Sequence, residues 1–331
     1  MPAPSGPYPI GTTELHLVDK NRKDPWGSGS ARAVMASVWY PALPIGPTAP
    51  YAPAKVAAPL ADELTTFLGL PAGAVDYAGT ATHARSGAPA LGRHPVEFPG
   101  GRVAPVTVTQ DALKKAMGVR VADTRFLLDS LDRLAGGRNP DADHRPLPKG
   151  LDRALDLRRT GMFGYSAGGF AAAETMLVDR RIDAGVNFDG TMQFGFPEGE
   201  LSESAKRGLD RPFLLFGAQG HSHKPQPGSP LNDPSWTSFW QHQRGWKLDL
   251  GIPNGTHGSF ADYQFSVPAI AEEFGVPPEK VTELLGTVDP AGGVRAQRAY
   301  LGAYFGQFLR GVPQPILRHG SPRYPEVEFT R

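Results

Sequence analysis

A serine between two glycines is the feature of this sequence best suited to chemistry. Gly164, Ser166 and Gly168 have the G-x-S-x-G spacing, which places a serine on a sharp strand-to-helix turn with its hydroxyl exposed. Residues 161–163 form a short apolar run, as at the end of a strand, and residues 167–177 are alanine-rich with apolar side chains at helical spacing. The sequence therefore predicts a nucleophile elbow at Ser166, and an ordinary glycine turn is the alternative.

A serine nucleophile needs a histidine that accepts its proton and a carboxylate that orients the histidine. In one arrangement the chain order is serine, acid, histidine, with each residue at the carboxyl end of a strand. His257 lies in a Gly-Thr-His-Gly loop after a predicted strand, and its small neighbours leave the ring room to reach a site. His221 and His223 follow another predicted strand and are its competitors. We predict that His257 is the base.

The acid is sought at the strand ends that follow Ser166. The predicted strand 182–188 ends in Asp189 and a glycine, which places a carboxylate where it can reach toward a histidine. Aspartate followed by glycine also forms ordinary turns. Asp233 and Asp262 are the fallback candidates. We predict that Asp189 is the acid.

These residues predict hydrolysis through an acyl-enzyme. Ser166 attacks a carbonyl carbon while His257 takes the serine proton. The tetrahedral oxyanion then needs hydrogen-bond donors, each worth roughly 3 to 4 kcal/mol. One predicted donor is the backbone N–H of Ala167, at the amino end of a helix where the dipole also favours negative charge. A second donor is expected from a loop after an earlier strand.

Strands and helices alternate along the chain, which favours the α/β class with a mostly parallel sheet and helices on both faces. Residues 12–18 and 33–40 alternate in polarity and are expected to pair as an antiparallel hairpin. Further strands are expected at 103–108, 161–163, 182–188, 212–216 and 246–252, and helices at 57–68, 111–135, 167–177, 235–244, 267–274, 278–285 and 294–309. Gly118 is expected to break or kink the helix 111–135. The chain 1–331 is expected to form one domain, in which 44–90 is either a lid or a surface excursion.

The composition excludes several classes of partner and site. The chain of 331 residues has 34 basic and 33 acidic side chains, so no charge excess indicates nucleic acid or an anionic membrane as a partner. The absence of cysteine excludes disulfides, thiolate metal sites and a cysteine nucleophile. No transmembrane segment is expected, and the sequence indicates no oligomeric state. The serine chemistry predicts a small-molecule ester as the partner.

Taken together, several segments of the sequence resemble the platelet-activating-factor acetylhydrolase-like esterases of the α/β-hydrolase superfamily, in particular their actinobacterial branch. The segments that carry the resemblance are 33–41, 161–169, 186–192, 234–246, and His257 followed by Phe260 and Asp262. The resemblance implies the α/β-hydrolase fold, Asp189 as the acid, and hydrolysis of short-chain esters without cofactor or metal. In some members the substrate is a phospholipid with a short or oxidised acyl chain. The resemblance also implies secretion, because residues 3–9 are similar to a mature amino terminus; a cytoplasmic protein is the alternative.

The chain departs from that family before the helix 111–135. Only about twenty residues separate His94 from this helix, whereas a strand–helix–strand unit needs about 30. A central block near 94–100, including an oxyanion loop, is therefore expected to be missing, with Pro99-Gly100-Gly101 as a substitute loop. Three functions stay open: an acetylhydrolase-type serine esterase, a broader carboxylesterase, lipase or polyester hydrolase, and a non-catalytic hydrolase-like scaffold that binds a ligand.

Overall fold

The contacts of the chain divide it into two compact units. The computed structural model describes all residues except 1–3, 5, 7–8, 28, 43–46, 53, 86–108, 196–198 and 230. One unit comprises Met1–Thr107 and Ala122–Leu157, and the other comprises Val108–Val121 and Arg158–Arg331. The expectation of one domain over 1–331 stays a prediction.

The first unit contains a four-stranded sheet of order β2-β1-β4-β3. Its strands are β1 (Ile10–Lys23), β2 (Ala31–Pro41), β3 (Thr48–Pro50) and β4 (Ala81–Arg85). Strands β1 and β2 pair antiparallel along their length, as the alternating sequence predicts. Strand β4 runs parallel to β1 and antiparallel to β3. Leu15 and Leu17 on β1 are fully buried and pack with Phe126 and Leu134 in the core of this unit.

Two helices correspond to predicted helical segments in the first half of the chain. Helix α1 (Ala54–Leu68) lies between β3 and β4, so the segment 44–90 supplies two strands and a helix to the first unit. Its role as a lid or a surface excursion stays a prediction. Helix α2 (Gln110–Ala135) is continuous through Gly118, so the expected break there is wrong, and the alternative of a kink stays a prediction. A single glycine costs a helix only about 1 kcal/mol relative to alanine, which 26 helical residues easily outweigh. The predicted strand 103–108 lies outside the described residues.

The second unit is built on a five-stranded sheet of order β11-β10-β9-β6-β5. Its strands are β5 (Gly161–Tyr165), β6 (Ala184–Phe188), β9 (Phe213–Gly217), β10 (Lys247–Gly251) and β11 (Glu328–Phe329). Strands β5, β6, β9 and β10 are parallel, and β11 is an antiparallel edge strand. A separate antiparallel pair consists of β7 (Gln193–Phe194) and β8 (Glu200–Leu201). The α/β class is confirmed, although the sheets of the chain are not all parallel.

Helices cover both faces of this sheet. The helices that follow β5 in this unit are α3 (Ala167–Val178), α4 (Glu203–Arg207), α5 (Pro234–His242), α6 (Tyr263–Phe274), α7 (Pro278–Leu285) and α8 (Pro290–Phe308). Ala184 and Val186 on β6 pack in the core cluster that contains Tyr300 of α8. A side chain at the intervening Gly185 would meet Met176 of α3. Because successive residues of a strand face opposite sides, α3 and α8 lie on opposite faces of the sheet. No helix among the described residues is long and apolar enough to cross a membrane.

Gly185→Ala is expected to destabilise the protein by about 1–3 kcal/mol, because the added methyl group would overlap the Met176 and Phe213 side chains. The measurement is the free energy of unfolding in urea. Gly302→Ala is the matched control: a Cβ at this exposed position of α8 meets no atom within 4 Å. The control is expected to be neutral or to stabilise the helix by up to about 1 kcal/mol. Equal effects of the two substitutions would contradict the packing argument.

Candidate active site

Ser166 lies on the turn between β5 and α3, where its backbone has a φ of 56° and a ψ of −126°. A positive φ is uncommon for a residue with a side chain and marks a turn held by its surroundings. The Ser166 N–H donates to the Phe188 carbonyl at 2.8 Å, which ties the turn to β6. A Cβ at Gly164 would overlap the backbone of Gly168, and one at Gly190 would overlap the Ser166 carbonyl. The turn predicted from G-x-S-x-G is therefore present.

The structure brings Ser166, His257 and Asp189 together. The Ser166 Oγ lies 3.1 Å from the His257 Nε2, and the His257 Nδ1 lies 2.6 Å from the Asp189 Oδ2. Asp189 directly follows β6, and His257 begins a short 3-10 helix after β10. The Asp189 side chain is 5% exposed, whereas that of His257 is 52% exposed. With Nδ1–H donating to the carboxylate, Nε2 is free to accept the serine proton.

Side-chain hydrogen bonds fix the turn that carries Asp189. Asn187 accepts from the Gly190 N–H at 2.9 Å and donates to the Gly190 carbonyl at 2.7 Å. The same carbonyl accepts from the Trp236 indole N–H at 2.8 Å. Asp189 itself has a φ of 54°, and its N–H donates to the Phe216 carbonyl of β9 at 3.0 Å. These hydrogen bonds therefore hold Asp189 on a turn that is tied to β6 and β9.

The predicted oxyanion donor, Ala167, is the first residue of α3 and is exposed. Its N–H has no partner within the helix, because the first turn of an α-helix leaves its N–H groups unpaired by the helix itself. The Ser166 carbonyl instead accepts from the N–H groups of Gly169 and Phe170. The role of Ala167 stays a prediction. The expected gap at 94–100 and the substitute loop 99–101 lie outside the described residues.

Asp189 has a second histidine partner that the sequence did not reveal. His221 Nδ1 lies 2.8 Å from Asp189 Oδ1, and His221 Nε2 lies 2.9 Å from Asp233 Oδ2. His221 is therefore not a competitor of His257, and the fallback acid Asp233 contacts His221 rather than His257. The other competitor, His223, contacts Asp249 at 2.6 Å. One feature of the sequence could have indicated this contact: His221 follows β9, the strand that pairs with β6.

The last fallback acid, Asp262, is the residue that precedes helix α6. The carboxylates of Asp189 and Asp233 belong to one hydrogen-bonded group with His221. Sequence order offered Asp189, Asp233 and Asp262 as alternatives for one role, whereas the structure places Asp189 against both His257 and His221 and places Asp233 against His221.

The charges in this group stabilise one another. Burial raises the pKa of the Asp189 carboxyl, but hydrogen bonds from His221, His257 and the Ala218 N–H outweigh it and lower the pKa to about 2. Burial lowers the pKa of His221, but its hydrogen bonds to Asp189 and Asp233 raise that pKa to about 9. Burial also opposes ionisation of Asp233, whose pKa is nevertheless lowered by His221. At neutral pH the group therefore holds two carboxylates and an imidazolium.

These shifts predict that the free energy of unfolding falls on both sides of a plateau. Asp189, with its pKa lowered from 3.8 to about 2, contributes stability above pH 3.8 that is lost as the pH falls through 2. His221, with its pKa raised from 6.5 to about 9, contributes stability below pH 6.5 that is lost as the pH rises through 9. Urea unfolding from pH 6 to 10 measures the second effect. His221→Gln is expected to flatten this decline, and an unchanged slope would contradict the assignment.

The chain is similar to a solved structure, a ferulic acid esterase from Streptomyces cinnamoneus. The two are 34% identical, the match covers 99% of this chain and 98% of the other, and the TM-score is 0.71. The chain belongs to this esterase family. A curated relative, the probable 1-alkyl-2-acetylglycerophosphocholine esterase of Arthroderma benhamiae, is 34% identical over 185 residues. That match spans 52% of this chain and 43% of the relative. No protein-family model matches the chain.

Membership of an esterase family agrees with the coarser part of the resemblance drawn from the sequence. Two relatives named as esterases support carboxylic ester hydrolysis as the class of reaction. The actinobacterial branch, secretion and a role in lipid degradation stay predictions. Ester hydrolysis is therefore the reaction with which the hydrogen-bonded geometry around Ser166 is compared.

Proposed function

We propose that this member of the esterase family is a serine carboxylic ester hydrolase with the α/β-hydrolase fold. The observation that carries the proposal is the continuous hydrogen-bond path from Ser166 through His257 to Asp189, with distances of 3.1 and 2.6 Å. The three residues follow β5, β10 and β6, whose carboxyl ends share one edge of a parallel sheet. Their order along the chain is serine, acid, histidine, as in α/β-hydrolases.

In the proposed reaction, the Ser166 Oγ forms a bond to the ester carbonyl carbon while its proton moves to the His257 Nε2. The negative carbonyl oxygen is stabilised by the Ala167 N–H, and the new imidazolium is stabilised by the Asp189 carboxylate. The bond to the alcohol oxygen then breaks, and the alcohol leaves with the proton from His257. Water repeats the sequence on the acyl-enzyme, which releases the acid and restores Ser166.

The proposed substrates are short-chain acyl esters, including phospholipids with a short sn-2 acyl group. The name of the Arthroderma benhamiae relative supports this choice. A second candidate is an ester of a hydroxycinnamic acid, favoured by the likeness to the ferulic acid esterase over nearly the whole of both chains. A scaffold without catalytic activity is disfavoured because such a protein has no need of a histidine with one nitrogen on a serine and the other on a buried carboxylate.

Steady-state kinetics on a matched substrate panel test the proposal. The panel is p-nitrophenyl acetate and longer p-nitrophenyl esters, methyl ferulate, and a 1-alkyl-2-acetylglycerophosphocholine. We expect hydrolysis of p-nitrophenyl acetate with kcat/KM falling as the acyl chain lengthens. A kcat/KM for methyl ferulate above that for both acetyl esters would select the second candidate. Failure to hydrolyse any member of the panel above the uncatalysed rate would contradict the proposed function.

A further inference from the structure

We propose that His221 is a positioning residue of this esterase, a fixed cation that ties Asp189 to Asp233 and so aims the free oxygen of Asp189 at His257. The inference rests on the proposed function and adds a residue to its machinery. Within the part of the chain that the structure describes, His221 forms no hydrogen bond with Ser166 or His257, and it acts through Asp189. Its Nδ1 lies 2.8 Å from Asp189 Oδ1 and its Nε2 lies 2.9 Å from Asp233 Oδ2.

The His221 ring must carry a proton on both nitrogens to donate to both Asp189 and Asp233. An ionised carboxylate only accepts hydrogen bonds, and a neutral imidazole has a single N–H donor, so only the imidazolium makes both bonds. The remaining oxygens are also engaged by donors. Asp189 Oδ2 faces His257 at 2.6 Å, and Asp233 Oδ1 accepts from the Ser235 N–H at 2.8 Å and its hydroxyl at 2.5 Å. Neither carboxylate therefore has to carry a proton for the group to be satisfied.

Packing holds the His221 ring in place. Its side chain is 13% exposed, and the ring stacks on the Trp236 indole with a centroid distance of 3.9 Å and an angle of 29°. Trp236 is fully buried and donates to the carbonyl of Gly190, the residue after the acid. The Asp189 Oδ1 also accepts from the Ala218 N–H at 2.7 Å. One oxygen of the acid is thus fixed by two donors, which leaves the other oxygen to orient His257.

Loss of the His221 proton is expected to undo this arrangement. A neutral ring would turn a nitrogen lone pair toward a carboxylate oxygen, so one of its two bonds would be replaced by repulsion. Among the described residues, the buried Asp249 interacts electrostatically with His221, and Lys224, Glu328 and Arg331 line a cavity of about 540 Å³ that His221 also lines. Because the paired aspartates hold the pKa of His221 at about 9 against the effect of burial, we expect kcat to fall above that pH.

The first test compares His221→Gln with His223→Gln in the intact chain. His223 is a matched control, since its Nδ1 lies 2.6 Å from a buried aspartate, Asp249, and its ring stacks on Trp240 at 3.9 Å. With p-nitrophenyl acetate we expect His221→Gln to lower kcat on the order of 10²-fold with little change in KM, as for a misplaced catalytic group. The fall near pH 9 should also disappear. His223→Gln should keep the wild-type kcat and pH profile. Wild-type values for His221→Gln would overturn the inference.

Asp233→Asn separates positioning from a merely structural role. It leaves Asp189 and His257 untouched and removes one of the two charges that keep His221 protonated. We therefore expect the alkaline fall in kcat to move to lower pH, measured per folded molecule after urea unfolding gives the folded fraction. A structural role would lower the folded fraction without moving the pH of this fall, and that result would overturn the inference.

An NMR measurement keeps the inference independent of turnover. The imidazole N–H protons of His221 are both expected at neutral pH, with one lost as the pH rises through about 9. The His257 Nδ1–H resonance, which reports the bond to Asp189, is expected to shift in His221→Gln and to stay in His223→Gln. Absence of ester hydrolysis by the wild type would count against the proposed function, whereas an unshifted His257 resonance in His221→Gln would overturn the role of His221.

Discussion

Ser166→Ala is expected to lower kcat for ester hydrolysis on the order of 10⁶-fold, as removal of a serine nucleophile does in comparable triads. The Ser166 hydroxyl lies 3.1 Å from the His257 nitrogen that would take its proton. Without the hydroxyl the acyl-enzyme cannot form, and any residual rate comes from binding and oxyanion stabilisation alone. The measurement is the initial rate on p-nitrophenyl acetate, with the uncatalysed rate subtracted.

The same substitution is expected to leave the free energy of unfolding nearly unchanged. Ser166 is only partly buried, and its hydroxyl bonds to a histidine that is 52% exposed. Substitutions away from the core and from buried networks usually change stability by about 0.5 kcal/mol or less. If Ser166→Ala lost its fold as well as its activity, the loss of activity could be explained by unfolding and would not identify Ser166 as the nucleophile.

Ser238→Ala is the matched control for Ser166→Ala. Ser238 Oγ lies 3.5 Å from the His242 Nδ1 on α5, but its hydroxyl donates to the Ala205 carbonyl at 2.8 Å. A fluorophosphonate is expected to label Ser166 in the wild type and in Ser238→Ala, and to leave Ser166→Ala unlabelled. Retention of wild-type turnover in Ser166→Ala, or labelling at another serine, would contradict the assignment of the nucleophile.

The approach of Ser166, Asp189 and His257 could be predicted from the sequence because local patterns fix strand ends. The buried-strand candidate 182–188 corresponds to β6 and the continuous apolar run 212–216 corresponds to β9. A parallel sheet brings the carboxyl ends of its strands to one edge. Chain order then reduced the choice of acid and base. The break expected at Gly118 failed for the opposite reason, since the local cost of glycine is small beside the packing of the helix around it.

The pairing of His221 with Asp233 could not be predicted by the same reasoning. His221 and Asp233 are separated by a loop without periodicity between β9 and α5, so nothing in the local sequence gives their distance. The group also depends on the two oxygens of Asp189 having different histidine partners. Reasoning that assigns one acid to one base does not predict a second histidine on the same carboxylate. The division into two units likewise depends on contacts between distant residues, such as those of β1 with β4.

Asp189→Asn is expected to lower kcat on the order of 10⁴-fold with little change in KM, as for the corresponding aspartate of a serine protease triad. The Asp189 Oδ2 accepts from the His257 Nδ1 at 2.6 Å and so keeps the proton on that nitrogen. An amide group facing Nδ1 would favour the other tautomer, in which Nε2 carries the proton and cannot accept one from Ser166. The amide also removes the negative charge that stabilises the imidazolium in the transition state. Initial rates across a range of p-nitrophenyl acetate concentrations give kcat and KM separately.

Asp249→Asn shows whether such a loss is specific to Asp189, the proposed acid. Asp249 is fully buried, lies on β10, and accepts from the backbone N–H and the Nδ1 of His223 at 2.8 and 2.6 Å. Both substitutions replace a buried carboxylate that contacts a histidine, so both are expected to change stability. Only Asp189→Asn is expected to change kcat per folded molecule by orders of magnitude. Equal losses in the two variants would mean that burial of a carboxylate, rather than orientation of His257, explains the effect, and Asp189 would lose its place as the acid.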